Sequence, residues 1–326
     1  MKAIWYEQFG QAKEALVYGD LPDPEPKVGE VVVRLHASGI NPSDVKLRAG
    51  QRPGATMAYP KVVPHSDGAG VIEAVGQNVD SGRIGQRVWV WNAAWNRAMG
   101  TAAEYISIPE AQTVVLPDNT SFSEGACLGI PAMTAWYALF GDGADLKGQS
   151  VLVTGGAGSV GRYACQMAKL AGANVIATVS SEEKATHSTV ENWINYRDAD
   201  VAEAVLEMTN GEGVNRIVDV DFAANQDAAL KILKPGGTLS AYASASVMEP
   251  KLAFYGFMFR NITLRMLIAY LIPPDVHAKG ARQLNSWLEN DALAHAVVEG
   301  GGLADTAHAH EHVEAGEKLG TVVLEY

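Results

Sequence analysis

The chain has 326 residues, of which 48% are hydrophobic and 19% are charged. This balance, with a mean hydropathy of −0.01, is typical of a soluble globular protein and argues against a disordered chain. The longest apolar stretch, near residues 262–273, is interrupted by Arg265 and is shorter than the roughly 20 residues that a transmembrane helix needs. Asp and Glu outnumber Lys and Arg by 37 to 25, and the net charge of −12 would repel a phosphate backbone. We therefore expect neither a nucleic acid nor a membrane as a partner.

The cysteine content is low. Cys127 and Cys165 are far apart and belong to no CxxC pattern. The sequence therefore predicts neither a disulfide framework nor a structural zinc site, and it favours a reducing compartment. The first residues turn acidic at Glu7 without a hydrophobic signal segment, so we expect a cytoplasmic protein.

The first 120 or so residues are typical of a β-rich domain. β-Branched and alternating stretches predict strands over 30–37, 71–75 and 87–91. Proline- and glycine-rich turns, such as the segment 22–26, separate them. We interpret this segment as a partly open barrel.

From about Pro117 the pattern changes. Residues 121–139 are rich in Ala, Leu and Met and predict a helix, after which strands and helices alternate. The strand candidates are 151–154, 174–179, 193–196, 216–220, 238–243 and 262–267, and the helix candidates between them are 160–171, 199–208 and 225–233. Apolar strands separated by helices predict a parallel, doubly wound sheet whose ligand crevice lies at the carboxyl ends of the strands.

The last segment completes the predicted domain organisation. It contains one helix, from Pro274 to about Asn290, and ends in a strand over 320–326 that needs a partner. We expect the N-terminal β domain to supply that partner. The chain is thus predicted to form an α/β protein in which one domain, residues 1–122 and 270–326, encloses another, residues 123–269.

A glycine pattern follows the first strand of the doubly wound domain. Gly156-x-Gly158-x-x-Gly161 comes after the strand 151–154 and opens a helix. Glycines there allow a tight turn and bring backbone N–H groups and a helix N-terminus against a pyrophosphate. The strand, turn and helix in this order predict a dinucleotide site, formed by Gly156, Gly158, Ser159, Val160 and Gly161.

The residues after the second strand indicate which dinucleotide binds. NAD sites carry an Asp or Glu there to hold the ribose 2′-hydroxyl. This chain instead has Ser180 and Ser181, with Lys184 soon after and Tyr196 at the end of the third strand. Hydroxyls and a cation in place of the acid favour a 2′-phosphate, so the sequence predicts NADPH as the cofactor.

Several stretches resemble a known family over essentially the whole length. They are residues 37–44 (ASGINPSD), 67–76 (DGAGVIEAVG), 129–136 (GIPAMTAW) and the turn 155–161 through Lys169. In these stretches the chain resembles the zinc-independent quinone oxidoreductases of the medium-chain dehydrogenase/reductase superfamily, the group that includes zeta-crystallin. The resemblance implies a GroES-like β-rich catalytic domain, a Rossmann domain, and NADPH-dependent reduction of quinones or α,β-unsaturated carbonyls.

The resemblance also bears on metal binding. Zinc-dependent relatives have a cysteine where this chain has Asn41, and they carry a four-cysteine lobe for which two cysteines are too few. Catalytic zinc needs three protein ligands. His65 lies near the position of one such ligand, but no cysteine accompanies it. We expect no metal, and we interpret His65 as a core or pocket-rim residue.

The resemblance implies roles for individual residues. Asn41 and Thr134 would contact the nicotinamide and its ribose, with Tyr137 close by. The residues that would hold the 2′-phosphate are Ser181, Lys184 and Tyr196, and those that would line the nicotinamide cleft are Tyr242 and Ser244. Two tyrosines common in the family are replaced here by Lys46 and Arg52. We expect Asn41, Lys46, Arg52 and Tyr137 to donate hydrogen bonds to the carbonyl oxygen that gains charge, and no residue to act as a covalent nucleophile.

Lys46 and Arg52 leave two alternatives for the function: a zinc-free alcohol or acyl-chain reductase, or a crystallin-like cofactor-binding protein with little catalysis. The apolar stretch 262–269 would form an edge strand of the kind that pairs between subunits in the family, which predicts a homodimer.

His308 and His312 lie four residues apart on one predicted helical face, which we interpret as a solvated surface.

Overall fold

The computed structural model describes residues 1–51 and 54–326. They form two compact units, one made of Met1–Pro131 with Ala281–Tyr326 and the other of Ala132–Gly280. The domain limits read from the sequence, 1–122 with 270–326 and 123–269, stay a prediction. Arg52 lies outside the described residues.

The secondary structure follows the chain in this order. The strands are β1 (Lys2–Trp5), β2 (Val17–Asp20), β3 (Glu30–Ile40), β4 (Asp67–Val75), β5 (Arg87–Val90), β6 (Tyr105–Pro109), β7 (Thr113–Val115), β8 (Ser150–Val153), β9 (Asn174–Val179), β10 (Asn192–Asn195), β11 (Val214–Asp219), β12 (Leu233–Ala241), β13 (Thr263–Met266), β14 (Val297–Glu299) and β15 (Thr321–Glu325). The helices are α1 (Ala12–Ala15), α2 (Pro42–Arg48), α3 (Phe122–Gly125), α4 (Met133–Phe140), α5 (Ser159–Leu170), α6 (Glu182–Ser188), α7 (Val201–Met208), α8 (Phe222–Ile232), α9 (Phe254–Phe259), α10 (Pro274–Glu289) and α11 (Thr306–Ala315). Within the described residues, none of these helices is long and apolar enough to cross a membrane.

The first unit is built on a mostly antiparallel sheet. Its described strands run in the order β14-β15-β3-β4-β5-β7, and β6 pairs with β3. The C-terminal strand β15 lies antiparallel to β3, with Val322 opposite Ile40, which confirms that the end of the chain returns to the N-terminal β region. Inward-facing side chains of β3, β4, β5 and β6 make a buried core that includes Val31, Ile72, Val88 and Ile106.

Strand β4 begins four residues before the predicted strand 71–75. Gly68 and Gly70 interrupt the β-branched pattern there, which is why the pattern missed this part of the strand. A Cβ on Gly70 would lie 2.0 Å from the carbonyl oxygen of Arg34, so only glycine lets β4 approach β3 at this point. As a result β4 starts at Asp67 and β3 ends at Ile40, next to Asn41.

The second unit is a doubly wound parallel sheet with the strand order β10-β9-β8-β11-β12-β13. This is the order typical of a dinucleotide-binding fold, with the switch point between β8 and β11. It confirms the predicted fold class, and each of the six predicted strands is present within a few residues. Buried side chains such as Leu152, Ile176, Val205 and Leu239 fill the space between sheet and helices.

The predicted helix over 121–139 is wrong as a single element. It is divided into α3, a π-helical turn over Leu128–Ala132, and α4. Pro131 lacks an N–H group and cannot continue a regular helix, and Gly129 adds flexibility just before it. The sequence reading also missed the short helices α6 and α9, whereas α10 has nearly the predicted limits.

Candidate functional site

The glycine turn after β8 is shaped by close backbone approaches. Gly155 has a φ of +66°, and its N–H donates to the hydroxyl of Thr178 on β9 at 3.0 Å. A Cβ on Gly161 would lie 2.2 Å from the carbonyl oxygen of Gly155, and one on Gly156 would lie 2.7 Å from the Cβ of Ala177. The turn therefore requires glycine at Gly156 and Gly161 for packing, because a side chain has no room there.

Helix α5 starts directly from this turn. Gly158 is its N-cap residue and has no side chain to cap it, so the N–H groups of Val160 and Gly161 have no partner within the helix. These donors and the positive end of the helix dipole form a cradle for an anion. The structure brings together the five residues predicted for the pyrophosphate, since they all lie in the turn or in the first turn of α5.

The residues predicted for the 2′-phosphate lie at the neighbouring strand ends. Ser180 and Ser181 follow β9, and the hydroxyl of Ser181 accepts from the Lys184 N–H at 3.3 Å as the N-cap of α6. The N–H of Tyr196, just after β10, donates to the Val179 carbonyl at 3.1 Å. Tyr196 is 50% exposed and Lys184 is half-buried. A hydroxyl pair, an ammonium and a phenol therefore share one edge of the sheet.

A buried carboxylate lies beside the glycine turn. Asp219, the last residue of β11, accepts from the Thr154 hydroxyl and from the Asn225 amide, each at 2.7 Å. Burial raises the pKa of Asp219. The N–H of Tyr242 donates to the Asp219 carbonyl at 3.0 Å, and burial, with the nearby Asp219 charge, raises the pKa of the Tyr242 phenol. The sequence reading missed Asp219 because a single acid at a strand end has no distinctive pattern.

The other predicted residues of the second unit lie on α4 and after β12. Thr134 is buried and Tyr137 is half-buried on α4. The guanidinium of Arg265, from β13, lies 5.1 Å from the centre of the Tyr137 ring. The hydroxyl of Ser244 is directed to the Val247 carbonyl at 2.6 Å. Tyr137 is thus held by a cation–π contact that the sequence did not predict.

In the first unit, Asn41 is almost fully buried. It is the N-cap residue of α2, and its N–H donates to the Asp44 carboxylate at 2.8 Å. Its side-chain Nδ2 donates to Oδ2 of Asp67 at 2.9 Å. Burial raises the pKa of Asp67 well above its usual value, although the bond from Asn41 acts in the opposite direction. Lys46, on the same helix, is exposed.

His65 is fully buried and makes two hydrogen bonds. Its Nδ1 lies 2.9 Å from the Ser38 hydroxyl and its Nε2 lies 2.7 Å from Nε2 of His310. Burial lowers the pKa of His65 to about 3, and burial, with the nearby His65 and Arg48, lowers that of His310 well below its usual value. Both ring nitrogens of His65 therefore already face protein groups.

The sequence reading noticed His308 and His312 of α11 and missed His310. The side chain of His308 is 83% exposed, in agreement with a solvated face, whereas His310 is fully buried. An alternation of His with Ala and Glu at residues 308–312 could not indicate which ring points inward. Across residues 1–51 and 54–326, no group of three or more His, Cys, Asp or Glu side chains is arranged to hold a metal ion.

The chain is similar to known proteins in both sequence and structure. Residues 27–118 match the family described as alcohol dehydrogenase GroES-like domain, and residues 159–284 match the family described as zinc-binding dehydrogenase. A quinone oxidoreductase of Pseudomonas aeruginosa is 30% identical, with 99% of each chain covered. A quinone oxidoreductase structure from Pseudomonas syringae superposes with a TM-score of 0.88 at 29% identity, covering 100% of this chain and 99% of the other. A mycobacterial protein complexed with NADPH has a TM-score of 0.86 at 30% identity, with 100% of each chain covered.

Proposed function

Because the chain belongs to the quinone oxidoreductase family of the medium-chain dehydrogenase/reductase superfamily, we propose that it reduces quinones or α,β-unsaturated carbonyls with NADPH and without a metal. The observation that carries this proposal is the unit of strand, glycine turn and helix formed by β8, Gly156–Gly161 and α5. A Cβ on Gly161 would collide with the backbone of the anion cradle, at the carbonyl oxygen of Gly155. A dinucleotide fits that cradle because the oxygens of its negatively charged pyrophosphate would accept hydrogen bonds from the N–H groups at the start of α5.

The choice of NADPH is supported at the next strand end. Ser180, Ser181, Lys184 and Tyr196 would surround a 2′-phosphate. The two residues directly after β9 are serines, where an NAD site places an acid for the 2′-hydroxyl, and the acids Glu182 and Glu183 come only in the first turn of α6. The 30%-identical mycobacterial relative is complexed with NADPH. When bound, NADPH supplies a hydride from its nicotinamide ring. Thr134, Tyr242 and Ser244 are the proposed neighbours of the nicotinamide half.

The chain's own contribution is orientation and electrostatics. Hydride addition to a quinone or enone builds negative charge on the carbonyl oxygen, and fixed donors stabilise that charge. The proposed donors or neighbours of this oxygen are Asn41, Tyr137, Lys46 and Arg52. Asn41 has a second Nδ2 proton in addition to the one that it donates to Asp67. Cys127 and Cys165 are poor candidates for a nucleophile, since burial raises the pKa of each thiol to about 12. Both thiols are free, which supports a reducing, cytoplasmic location.

The metal-free mechanism is also part of the proposal. Asn41 stands where zinc-dependent relatives have a cysteine, and amide nitrogen that donates to Asp67 is no ligand. His65 has Ser38 and His310 at its two ring nitrogens, so metal binding at either nitrogen would break a buried hydrogen bond. Activity that persists after dialysis against a chelator is the expected result.

A homodimer is proposed from the edge of the parallel sheet. β13 is one of the two edge strands of the described parallel sheet, and the stretch 248–271, which includes β13, exposes large apolar side chains. They include Met248 at 70%, Tyr255 at 66%, Phe259 at 79%, Met266 at 68% and Leu271 at 67%. An unpaired edge beside so much apolar surface favours pairing with a second copy. Sedimentation equilibrium is expected to give twice the chain mass, and Met266→Lys to give the monomer; a wild-type mass of one chain contradicts the dimer.

The enzymatic proposal is tested by NADPH oxidation with a panel of ortho- and para-quinones, enones and aldehydes, with NADH as the control cofactor. We expect turnover with quinones or enones and a preference for NADPH. Turnover with aldehydes alone would replace this function by an alcohol-type reductase. Binding of NADPH without turnover of any of these compounds would favour a cofactor-binding protein.

A further inference from the structure

Asp67 is a buried carboxylate that holds two groups from different segments of the first unit. Its Oδ2 accepts from the Asn41 side chain and from the Ile130 backbone N–H, both at 2.9 Å. Its Oδ1 is buried and has no hydrogen-bond partner among the described residues. A Cβ on Gly129 would lie 2.2 Å from that oxygen, so the backbone of Gly129 covers Oδ1 closely. An ionisable group is thus kept in the interior with one oxygen devoted to Asn41 and Ile130.

This arrangement determines which way the amide of Asn41 faces. Oδ2 of Asp67 accepts from the Ile130 N–H and therefore acts as an acceptor whether or not Oδ1 carries a proton, whereas the two ends of an amide differ, Nδ2 donating and Oδ1 accepting. If the amide turned over, its Oδ1 would face Oδ2 of Asp67, oxygen against oxygen in a buried site. Asp67 therefore keeps Nδ2 of Asn41 directed at its own Oδ2. The Oδ1 atom and the second Nδ2 proton of Asn41 are left for other partners.

A chain of hydrogen bonds holds Asp67 from its backbone side. The hydroxyl of Thr101 donates to the Asp67 carbonyl at 2.6 Å, and Ser38 Oγ lies 2.7 Å from Thr101 Oγ1. His65 and His310 continue the chain through contacts of 2.9 and 2.7 Å. All four side chains are buried.

The distances to the Asp67 carbonyl, which only accepts, assign the direction of the bonds in this chain. Thr101 Oγ1 lies 2.6 Å from that oxygen and Ser38 Oγ lies 3.5 Å from it, so we assign the single proton of Thr101 to the carbonyl, and Thr101 accepts from Ser38. Ser38 then accepts from Nδ1–H of His65, which leaves His65 Nε2 bare to accept from Nε2–H of His310. His310 Nδ1 must then carry no proton, and it is a buried nitrogen without a hydrogen-bond partner in the described chain. The chain thus runs one way, with both rings neutral.

We infer that Asp67 is a positioning residue that fixes the orientation of the Asn41 amide, and that the hydrogen-bond chain from His310 through His65, Ser38 and Thr101 holds Asp67 in place. The inference rests on the proposed function in so far as Asn41 is to act on cofactor or substrate. It adds the reason why Asn41 would present a fixed pattern of acceptor and donor.

A double-mutant cycle tests the positioning role. Asp67→Ala is expected to lower kcat/KM for a quinone about tenfold, the upper range for the loss of one buried hydrogen bond. Asp67→Asn, which keeps an oxygen for Asn41 and Ile130, is expected to recover most of that loss. In the Asn41→Ala background, Asp67→Ala is expected to cause no further loss. Equal losses in both backgrounds would mean that Asp67 acts through general structure and would overturn the inference.

Thr101→Val provides a second, milder variant if Asp67→Ala fails to fold. It removes the proton that the Asp67 carbonyl accepts and keeps the side-chain shape. A loss of about threefold is expected in the wild-type background, as for a neutral hydrogen bond, and none in the Asn41→Ala background. A loss that is equal in the two backgrounds contradicts the role of the chain.

NMR spectroscopy separates this inference from the proposed function, because it requires no turnover. In ¹⁵N-labelled protein, the side-chain amide protons of Asn41 are expected to exchange slowly with solvent in wild type and Asp67→Asn, and quickly in Thr101→Val or Asp67→Ala. Nitrogen shifts are expected to show His65 protonated at Nδ1 and His310 at Nε2. Unchanged Asn41 exchange in the variants, or the opposite tautomers, would refute the inference even if the enzyme reduces quinones; a lack of turnover with slow exchange would refute only the function.

Discussion

The glycine turn and the Asn41–Asp67 cluster are built in opposite ways. The turn presents backbone N–H groups, and its residues lie within one short segment, Gly155–Gly161. The cluster uses side chains from segments that are far apart, and His65 and His310 are 245 positions apart in the chain. A backbone site depends on where side chains are missing, whereas a side-chain site depends on how each polar group is paired in the interior. Substitutions in the two regions should therefore fail for different reasons.

The largest effect is expected at Gly161. A Cβ there would meet the Gly155 carbonyl at 2.2 Å, so Gly161→Ala must displace the turn, with a cost of about 3 kcal/mol in the free energy of unfolding. We also expect the NADPH Kd to rise about 100-fold, because a displaced turn no longer directs its N–H groups at the pyrophosphate; this factor corresponds to about 3 kcal/mol of binding free energy. Gly158→Ala is the matched control for the packing cost, because its Cβ would lie at an ordinary 3.4 Å from the same oxygen. Equal losses of stability for the two variants in urea unfolding would contradict the packing argument, and an unchanged Kd of Gly161→Ala in calorimetric titration would contradict the role of the turn in binding.

The side-chain cluster should be sensitive to acid. Burial keeps His65 and His310 neutral in the folded chain, whereas each takes up a proton in the unfolded chain below about pH 6.5. The unfolded chain then binds more protons, so the free energy of unfolding falls with decreasing pH, by up to about 1.4 kcal/mol per pH unit for each ring. The raised pKa of Asp67 opposes part of this fall, because there the folded chain holds the additional proton.

The comparison of His310→Gln with His308→Gln isolates the buried ring. The cation near His310 is Arg48 of α2, which pairs with Glu314 of α11. Arg48 and Glu314 are retained in each variant. Urea unfolding between pH 7 and pH 5 is expected to show a smaller decrease for His310→Gln than for wild type. His308→Gln should follow wild type because the side chain of His308 is 83% exposed. Parallel curves for all three proteins would show that His310 is not the buried neutral ring described above.

The next prediction concerns Lys184, the proposed cation that selects NADPH over NADH by binding the 2′-phosphate. Lys184→Ala is expected to weaken NADPH binding about tenfold, as for one charge-assisted hydrogen bond to phosphate, and to leave NADH binding unchanged. Lys169→Ala is the control, since Lys169 is an exposed lysine in the last turn of α5. An equal effect of Lys184→Ala on both cofactors would remove Lys184 from the proposed 2′-phosphate site.

The smallest effect is expected at Lys46. It is exposed on α2, and solvent and salt screen the field of an exposed charge. Lys46→Ala should therefore lower kcat/KM for quinones by only about threefold. If Lys46→Ala combined with Arg52→Ala leaves kcat/KM unchanged, neither residue stabilises the developing oxyanion.

The two regions also differ in how far the sequence predicted them. Gly156, Gly158 and Gly161 were found from a local pattern, because strand, turn and helix follow one another in the chain. Asn41 came from the resemblance, but its partner Asp67 and the buried His310 did not, since their contacts exist only once β3, β4 and α11 are packed. The start of β4 was missed for a related reason. Gly68 and Gly70 interrupt the β-branched pattern, and the close approach to β3 that requires glycine there exists only in the assembled sheet. The break at Pro131 was readable in principle, yet the Ala- and Leu-rich composition around it favoured one long helix.

Stopped-flow mixing with stereospecifically deuterated cofactor tests whether NADPH transfers a hydride to the quinone. The enzyme is incubated with NADPH deuterated on either face of C4 and mixed with a quinone, and the loss of NADPH absorbance is followed in a single turnover. We expect oxidation that slows with deuterium on one face only and that disappears in Gly161→Ala at subsaturating cofactor. Oxidation insensitive to deuterium on both faces, or no oxidation by a quinone or enone, would show that this protein does not transfer a hydride from NADPH to these compounds.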